Sequence, residues 1–284
     1  MRPTTEAELA EAVRAATTVR IAGSGSKARF GLPVEADAEI DMTAYTGVVW
    51  HEPADQVVVV RAGTRLEDLL AILAESRLCL PMPKALECGQ APAGFPGTVG
   101  GLVSMNLPHG LFAQCGGPRD WVLGMTVVRG DGTFAKSGSR VVKSVAGYDV
   151  HKLFIGARGT LGVVADVTFK TFPVRALPQP TCRAVAAFGD GDPIWVQRVA
   201  PSDYDAALTV AGDRLMAEDR ASATLWARVE AGDALPRFPD DWVLRAGCGA
   251  ENLVLPESAR ALQAATKAAL DPAGKFNPGA MGAA

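Results

Sequence analysis

Histidine is scarce in this sequence, and its cysteines form no recognisable pairs. The 284 residues include three histidines and five cysteines, with no CxxC motif. So few imidazoles make a histidine-rich metal site hard to build, and the cysteine spacing argues against an iron–sulfur or zinc site within the chain. An odd number of cysteines favours reduced thiols, which are typical of the cytoplasm. We therefore expect a cytoplasmic chain that holds no metal.

Long apolar runs and basic blocks are also lacking. No segment approaches the ~18 apolar residues of a membrane span, and the opening "MRPTTEAELAEAVRAA" predicts an amphipathic helix rather than a signal segment. The formal net charge of −3 argues against nucleic acid as a partner, because phosphate backbones are met by clustered Lys and Arg. Hydrophobic residues make up 48% of the sequence, enough for a sizeable globular core.

The pattern along the chain predicts an α+β fold. "TEAE" from Thr5 is a capping box, so a helix should begin there and reach about Ala16. "TVRIAG", "AEIDM" and "QVVVVRAG" predict strands, and a second capping box, "TRLE" from Thr64, predicts the next helix. Asp131-Gly132 between two strand-like runs predicts a hairpin. Leu80 to Gly101 is rich in Pro and Gly and predicts a long ordered loop.

The stretch "VRIAGSGSKARFG" runs from a predicted strand into a glycine-rich loop. It fits the GxGxx(G/A) fingerprint of a Rossmann fold, but that loop must open a helix. Gly31 and Pro33 follow too soon for a helix to form. Two interpretations stay open from this loop alone. Its backbone N–H groups, serine hydroxyls and Lys27 could hold a phosphate without a helix dipole, or it is a plain surface turn.

Three further stretches favour the phosphate-binding interpretation of this loop. They are "FPGTVGGLVSMN" (residues 95–106), "VVKSVAGYDVHKLFIGARGTLGVV" (residues 141–164) and "LDPAGKFNPG" (residues 270–279). Together with the first loop, and in the same order, they resemble the FAD-binding domain of the vanillyl-alcohol oxidase superfamily, the PCMH-type flavoproteins. The second and third stretches resemble in particular the FAD-binding E subunits of glycolate oxidases. The resemblance covers about residues 5–175 and 255–280, and residues 180–250 carry no motif that we can place.

The resemblance implies a domain organisation. Residues 1–175 would be an FAD-binding domain of two α+β subdomains, and residues 176–250 a short α+β cap of the substrate-domain type. Residues 251–284 would be a helix and tail that return to the FAD-binding domain.

The resemblance also implies a set of FAD-binding residues. The diphosphate would lie on Ala22, Gly23, Ser24, Gly25, Ser26 and Lys27. The diphosphate and ring system would run along Pro81, Met82, Pro83 and Lys84, and along Gly97, Thr98, Val99, Gly100 and Gly101. Ser104 and Asn106 would lie near the flavin or ribityl chain, and Gly162, Val163 and Val164 at the adenine end or the ring. Many relatives attach FAD through a histidine beside the first loop, and this sequence has none there. We expect non-covalent FAD, with a small buried thiol favoured over a flavin link at Cys115.

Catalytic residues are not evident in the sequence. Oxidation of a 2-hydroxy acid requires a base for the hydroxyl proton and a cation for the carboxylate. Relatives with this activity place histidines and acids after the FAD-binding domain, whereas this chain has no histidine beyond His151. His109, in "NLPHG", could approach the flavin, while His51 and His151 are better explained as structural residues.

Three functions are therefore considered. The first is the FAD-binding subunit of a glycolate oxidase-like complex, beside a catalytic flavoprotein subunit and an iron–sulfur subunit. Such a complex would oxidise a small 2-hydroxy acid and could lie against the inner membrane. The alternatives are a stand-alone FAD-dependent oxidoreductase of a small alcohol or hydroxy acid, and a degenerate assembly module. Trp195, Trp226 and Trp242 are candidates for a partner surface, although the core of a small domain explains them better.

Overall fold

A computed structural model describes residues 1–28, 30, 32–81, 97–141, 147–186, 193–230, 233, 235–239, 242–246 and 257–280. The structure has two main sheets of five strands each. The larger sheet, which contains more strand residues, is antiparallel and has the order β3-β4-β8-β6-β7. These strands are β3 (Val48–Glu52), β4 (Val57–Arg61), β6 (Val122–Val128), β7 (Phe134–Gly138) and β8 (Val163–Lys170). The central strand β4 is almost completely buried, as its continuous apolar run predicts, and β8 is almost completely buried as well.

The chain begins with a small helix–strand unit beside this sheet. Helix α1 (Glu6–Ala15) starts at the predicted capping box, in which the Glu8 N–H donates to Thr5 Oγ1 over 3.2 Å. It leads into β1 (Val19–Ala22), which pairs in parallel with β2 (Ala38–Asp41). The predicted helix and both predicted strands are confirmed.

The second predicted capping box is wrong. Helix α2 (Leu66–Glu75) has Arg65 as its N-cap, without a side-chain cap hydrogen bond. The Thr64 hydroxyl instead accepts the Gly47 N–H at 2.9 Å, and Glu67 pairs with Arg65. A tertiary contact has therefore taken the hydroxyl that the local pattern assigned to the helix.

The predicted long loop ends earlier than expected. Residues 82–96 lie outside the described part, but α3 (Val99–Met105) is a helix with Thr98 as its N-cap. Two short helices follow, α4 (Phe112–Cys115) and α5 (Pro118–Trp121). The hairpin of β6 and β7 turns at Asp131-Gly132, where Gly132 has φ +79°, so this prediction is confirmed. His151 lies in a short 3-10 helix, Val150–Leu153.

A second five-stranded antiparallel sheet, in the order β10-β12-β13-β11-β14, lies in the segment without motifs. Its strands are β10 (Arg183–Ala184), β11 (Ile194–Arg198), β12 (Leu215–Asp219), β13 (Thr224–Arg228) and β14 (Trp242–Ala246). One face packs with α6 (Tyr204–Ala211) around Trp195, Tyr204 and Leu225. Trp195 and Trp226 are buried, as the core interpretation predicts, and the Trp242 side chain lies outside the described part.

The remaining elements are a two-stranded pair and a long helix. Strand β5 (Leu78–Cys79) pairs with β9 (Phe172–Pro173), and α7 (Glu257–Leu270) precedes the "DPAGKFNPG" tail. Cys79 and Cys115 form no disulfide, whereas Cys182 is disulfide-bonded. The prediction of reduced thiols is therefore wrong for Cys182. The whole is a mixed α+β architecture, as predicted.

Candidate functional site

The glycine-rich loop after β1 borders the larger described cavity, of about 210 Å³. Gly25 has φ +75°, which favours glycine, and a Cβ built there would meet no described atom within 4 Å. At Gly23, by contrast, a Cβ would lie 2.6 Å from Thr98 Oγ1. The loop is therefore pressed against the start of α3 at one glycine and faces open space at the next.

The opposite side of the cavity is formed by the start of α3. The Thr98 hydroxyl accepts the Gly101 N–H at 3.2 Å, and the Gly100 N–H donates to the Ala62 carbonyl at 2.7 Å. A Cβ at Gly100 would lie 3.2 Å from Ala62, so glycine lets the helix approach the end of β4. Two glycine-rich segments, far apart in sequence, thus present their backbones to one space.

The half-buried Lys27 and the buried Arg158 both line this cavity. Burial lowers the pKa of the Lys27 ammonium to about 8 and also lowers the pKa of the Arg158 guanidinium. Arg158 donates to the Ala280 carbonyl at 3.3 Å, which fixes its orientation. The described lining residues include no Asp or Glu. A desolvated cation is stabilised by an anion beside it, so the cavity favours a negatively charged ligand.

The tail after α7 holds the strand that carries the glycine loop. Phe276 forms a parallel bridge with Val19 of β1. The Ile21 N–H donates to Asn277 Oδ1 at 2.7 Å, and Asn277 Nδ2 donates to the Arg158 carbonyl at 2.7 Å. One amide therefore ties together the glycine loop, the turn that contains Arg158 and the tail.

The structure brings most of the predicted cofactor residues together around this cavity. Those that line it are Ala22, Gly23, Ser24, Gly25, Ser26, Lys27, Thr98, Gly100, Gly101, Ser104, Gly162 and Val164. Gly97, Val99 and Val163 are buried next to lining residues in the sequence, and Pro81 is buried, but none of these four residues lines the cavity. Asn106 borders a different cavity, described below. Met82, Pro83 and Lys84 lie outside the described residues.

Sequence reasoning missed several lining residues, above all Arg158 and Asn277. Arg158 lies in "GARGT" with φ +53°, and Asn277 lies in "KFNPG" with φ +39°. Both stretches were recognised for their glycines, but the polar residue within each was not given a role. An arginine or asparagine inside a glycine-rich turn is the signal that could have found them.

A second cavity, of about 150 Å³, lies next to the end of α3. Ser104 and Met105 line the first cavity, and Asn106, the αL C-cap of α3, lines the second. The other lining residues are Pro108, Phe112, Gly117, Arg119, Asp120 and Arg198. Arg198 comes from β11, so this cavity lies between the second sheet and the elements that follow α3.

The histidines have structural surroundings and line neither cavity. His109 packs edge-on against Phe112 and Trp121, and its Nδ1 accepts the Leu111 N–H at 3.2 Å. Burial lowers the pKa of His109 to about 4, so it is neutral at pH 7. His151 is buried and shares a hydrogen bond with the Ser137 hydroxyl at 3.2 Å.

Cys115 also lies away from both cavities. It is a free thiol that packs against Cys79, Leu111 and Leu177, and burial raises its pKa. A raised pKa leaves less thiolate for covalent chemistry. Within the described part of the chain, no three His, Cys, Asp or Glu side chains are grouped as metal ligands. The described helices are also too short or too polar to cross a membrane.

Comparison with known proteins relates the first half of the chain to a family. The model of a family described as an FAD binding domain matches residues 1–138. The glycolate oxidase subunit GlcE of Escherichia coli is 34% identical over 163 residues, covering 57% of this chain and 45% of the relative. A D-lactate dehydrogenase of Anaerostipes hadrus is 30% identical over 175 residues, covering 60% and 35%. The chain thus matches less than half the length of either relative.

Among solved structures, an alkyldihydroxyacetonephosphate synthase is similar over 74% of this chain and 35% of its own, with 16% identity and a TM-score of 0.48. The family match covers α1, the glycine loop, both capping-box segments, the start of α3 and the β6–β7 hairpin. These elements contribute part of the first cavity, whose lining also includes Arg158, Gly162 and Asn277 from outside the match. The first 138 residues of this chain are therefore similar to an FAD binding domain.

Proposed function

We propose that this chain is the FAD-binding subunit of a glycolate oxidase-like complex that oxidises a small 2-hydroxy acid. It would hold FAD non-covalently and pass electrons between a catalytic flavoprotein subunit and an iron–sulfur subunit. The observation that carries the proposal is the first cavity, where glycine backbones, the half-buried Lys27 and the buried Arg158 meet, with no carboxylate among the described lining residues. The relative from Escherichia coli is itself named a subunit.

The cavity has the features that a dinucleotide requires. FAD carries two phosphate charges, which the N–H groups of the glycine loop, Lys27 and Arg158 would neutralise. The open space beside Gly25 leaves room for the diphosphate, and the buried tail would exclude water from it. When bound, FAD supplies the two-electron acceptor for oxidation. The residues of this chain supply position and charge neutralisation.

Non-covalent binding is supported by the residues around the cavity. None of the described lining residues is His or Cys, and Cys115 packs against other apolar residues. Acid precipitation of the purified chain tests this directly. Yellow protein that releases FAD into the supernatant supports the proposal, whereas yellow colour retained in the pellet means a covalent link.

The position of the diphosphate is tested with two glycines that both have a positive φ. Gly25→Val places a side chain in the space beside the loop, where we expect it to abolish FAD retention. Gly212→Val is the matched control, because Gly212 has φ +49° and its Cβ also meets no described atom within 4 Å. Both glycines have a positive φ, so both variants strain the backbone, but only the first should lose the flavin. Equal flavin content in the two variants would mean that the diphosphate lies elsewhere.

Two alternatives are decided by the same preparation. Turnover of glycolate or lactate by the chain alone, with a dye as acceptor, would support a stand-alone oxidoreductase. A chain that stays colourless after incubation with FAD would support an assembly module without flavin.

A further inference from the structure

The last turn of α7 carries a lysine whose hydrogen bonds reach beyond its own helix. Lys267 Nζ donates to the Thr160 carbonyl, 107 positions earlier in the chain, and to the Phe276 carbonyl in the tail at 3.1 Å. It also pairs with the Asp271 carboxylate, one helical turn further on. An ion pair at this spacing is common on helix surfaces and contributes little to stability. The two carbonyls show that Lys267 instead joins three segments of the chain.

Asp271 completes this junction from the other side of the ammonium. Its side chain is only 1% exposed. Its carboxylate accepts the Lys275 N–H and the Phe276 N–H, each at 3.0 Å. A buried charge is stable when it is both paired and hydrogen-bonded, and Lys267 supplies the opposite charge here. The start of the tail is therefore closed around one buried carboxylate, to which Lys267 is attached.

Both carbonyls that accept from Lys267 lie close to residues of the first cavity. Thr160 lies two residues after Arg158, in the same turn. Phe276 directly precedes Asn277, in the tail. Arg158 and Asn277 both line the cavity, whereas Lys267 does not. The lysine therefore holds the backbone beside two lining residues from outside the lining.

The turn and the tail are also connected to each other. Asn277 Nδ2 donates to the Arg158 carbonyl at 2.7 Å, and the Arg158 guanidinium donates to the Ala280 carbonyl at 3.3 Å. Lys267 adds a third connection between the same two segments. A side chain that binds a ligand needs such support, because its position is only as fixed as the backbone that carries it. Without Lys267, the guanidinium of Arg158 would be less firmly held at the cavity.

We propose that Lys267 is a positioning residue for FAD binding. It acts through two backbone carbonyls, which fix the turn that contains Arg158 and the tail that contains Asn277. The inference rests on the proposed function and extends it, because Lys267 lies outside the described lining and none of the predicted cofactor residues belongs to α7.

Lys275 offers a matched control for this role. Its side chain is buried, and its Nζ also donates to two backbone carbonyls, those of Val13 at 2.9 Å and Gly130 at 3.1 Å. Neither Val13 nor Gly130 lines the first cavity. Lys267→Met and Lys275→Met therefore each leave two carbonyls without their ammonium donor. Only the first variant removes a connection to the turn that contains Arg158.

The test is the affinity for FAD, measured by flavin fluorescence as FAD is added to the cofactor-free chain. Lys267→Met should weaken FAD binding about tenfold. Lys275→Met should lower the thermal midpoint of the chain but leave the FAD affinity unchanged. An equal loss of affinity in the two variants would overturn the proposal, because Lys267 would then act only through the general stability of the chain.

A double-mutant cycle tests whether Lys267 acts through Arg158. Arg158→Met removes the guanidinium that Lys267 is proposed to position. Lys267→Met should therefore reduce FAD affinity by a clearly smaller factor in the Arg158→Met background than in the wild type. Fully additive effects would contradict the assignment.

A milder variant decides the question if Lys267→Met does not fold. Lys267→Arg keeps a cation beside Asp271, but its planar guanidinium presents its donors in a fixed fork and cannot aim them at three oxygens as an ammonium does. This variant should fold and bind FAD about threefold more weakly than the wild type. Wild-type affinity would count against the proposal.

Hydrogen exchange separates this inference from the proposed function, because it is measured without FAD. The Arg158 N–H donates to the Ser104 carbonyl at 2.9 Å, so its exchange reports whether the turn is held in place. In Lys267→Met this amide should exchange about tenfold faster than in Lys275→Met. A chain that never binds FAD overturns the proposed function. Faster exchange in that chain would still support the role of Lys267 in positioning the turn, and equal exchange in the two variants would overturn it.

Discussion

The two main sheets each have five antiparallel strands, but they differ in how they are buried. The larger sheet packs with α1, α2 and α3 into one core. Residues 9–169 and Phe276 of the tail, here called the FAD-binding region, form this core without any residue of the second sheet. The second sheet buries Trp195 and Leu225 against α6. Its other face places Ile194, Val196 and Trp226 against Phe30, Met105 and Leu107 of the FAD-binding region. The first region can therefore form a core alone, whereas the second completes one face only by docking.

A substitution that weakens packing should therefore have different consequences in the two regions. Loss of packing in the FAD-binding region should remove the surface on which the second sheet docks. Loss of packing under α6 should leave the FAD-binding region folded. Three experiments sharpen or break this comparison.

The largest effect is expected from a matched pair of leucines, Leu69 in α2 and Leu225 in β13, both fully buried. Truncation of a buried leucine to alanine costs about 2–5 kcal/mol. Leu69→Ala should lower the thermal midpoint of the whole chain and release FAD in the same transition. Leu225→Ala should create an earlier transition in which FAD stays bound. Circular dichroism and flavin fluorescence, followed together on heating, measure this, and coincident transitions in both variants would contradict the comparison.

A smaller effect is expected from acid. All three histidines lie in the FAD-binding region. Burial lowers the pKa of His109 from 6.5 to about 4, so the unfolded chain binds a proton between these values and the folded chain does not. The resulting stability is present above pH 6.5 and is lost as the pH falls towards 4, by up to about 1.4 kcal/mol per pH unit.

His109→Asn removes this titration, and its side-chain oxygen can still accept the Leu111 N–H. Urea unfolding at several pH values should show a shallower loss of stability towards pH 4 in this variant. An unchanged slope would mean that His109 does not cause the acid sensitivity.

The smallest effect concerns Lys27 and FAD affinity. Burial lowers the pKa of Lys27 to about 8. The side chain is therefore a charged ammonium below that pH and a neutral amine above it. FAD affinity should be constant below pH 8 and fall as the pH rises beyond it. Lys27→Met should bind FAD about tenfold more weakly, because a charge-assisted contact is lost, and should show no fall above pH 8. A variant that keeps the pH dependence of the wild type would place the titrating group elsewhere.

Local patterns predicted much of the fold. The capping box at Thr5 and the hairpin at Asp131-Gly132 depend on neighbours within a few residues, so the sequence suffices for them. The capping box at Thr64 failed because Gly47, from another part of the chain, takes its hydroxyl. Sequence patterns predict hydrogen bonds between neighbouring residues well. They do not show when a distant group takes one of the partners.

The candidate site shows the same division. The glycine loops were found because glycine at a close approach leaves a compositional signal. Arg158 and Asn277 were not, because the hydrogen bond between them spans 119 residues. Arg198 stands in a segment without motifs, and only the docking of the second sheet brings it to the second cavity. Side chains whose role depends on such docking cannot be assigned from spacing alone.

The hydrogen bond from Ile21 to Asn277 has a consequence for synthesis of the protein, because these residues are 256 positions apart. A ribosome that adds about 5–20 residues per second needs roughly 10–50 s to travel between them. During that time the glycine loop has emerged, but its anchor has not yet been translated. Nascent chains should therefore bind FAD poorly until Asn277 has left the ribosome. FAD binding should begin only once the tail has been synthesised.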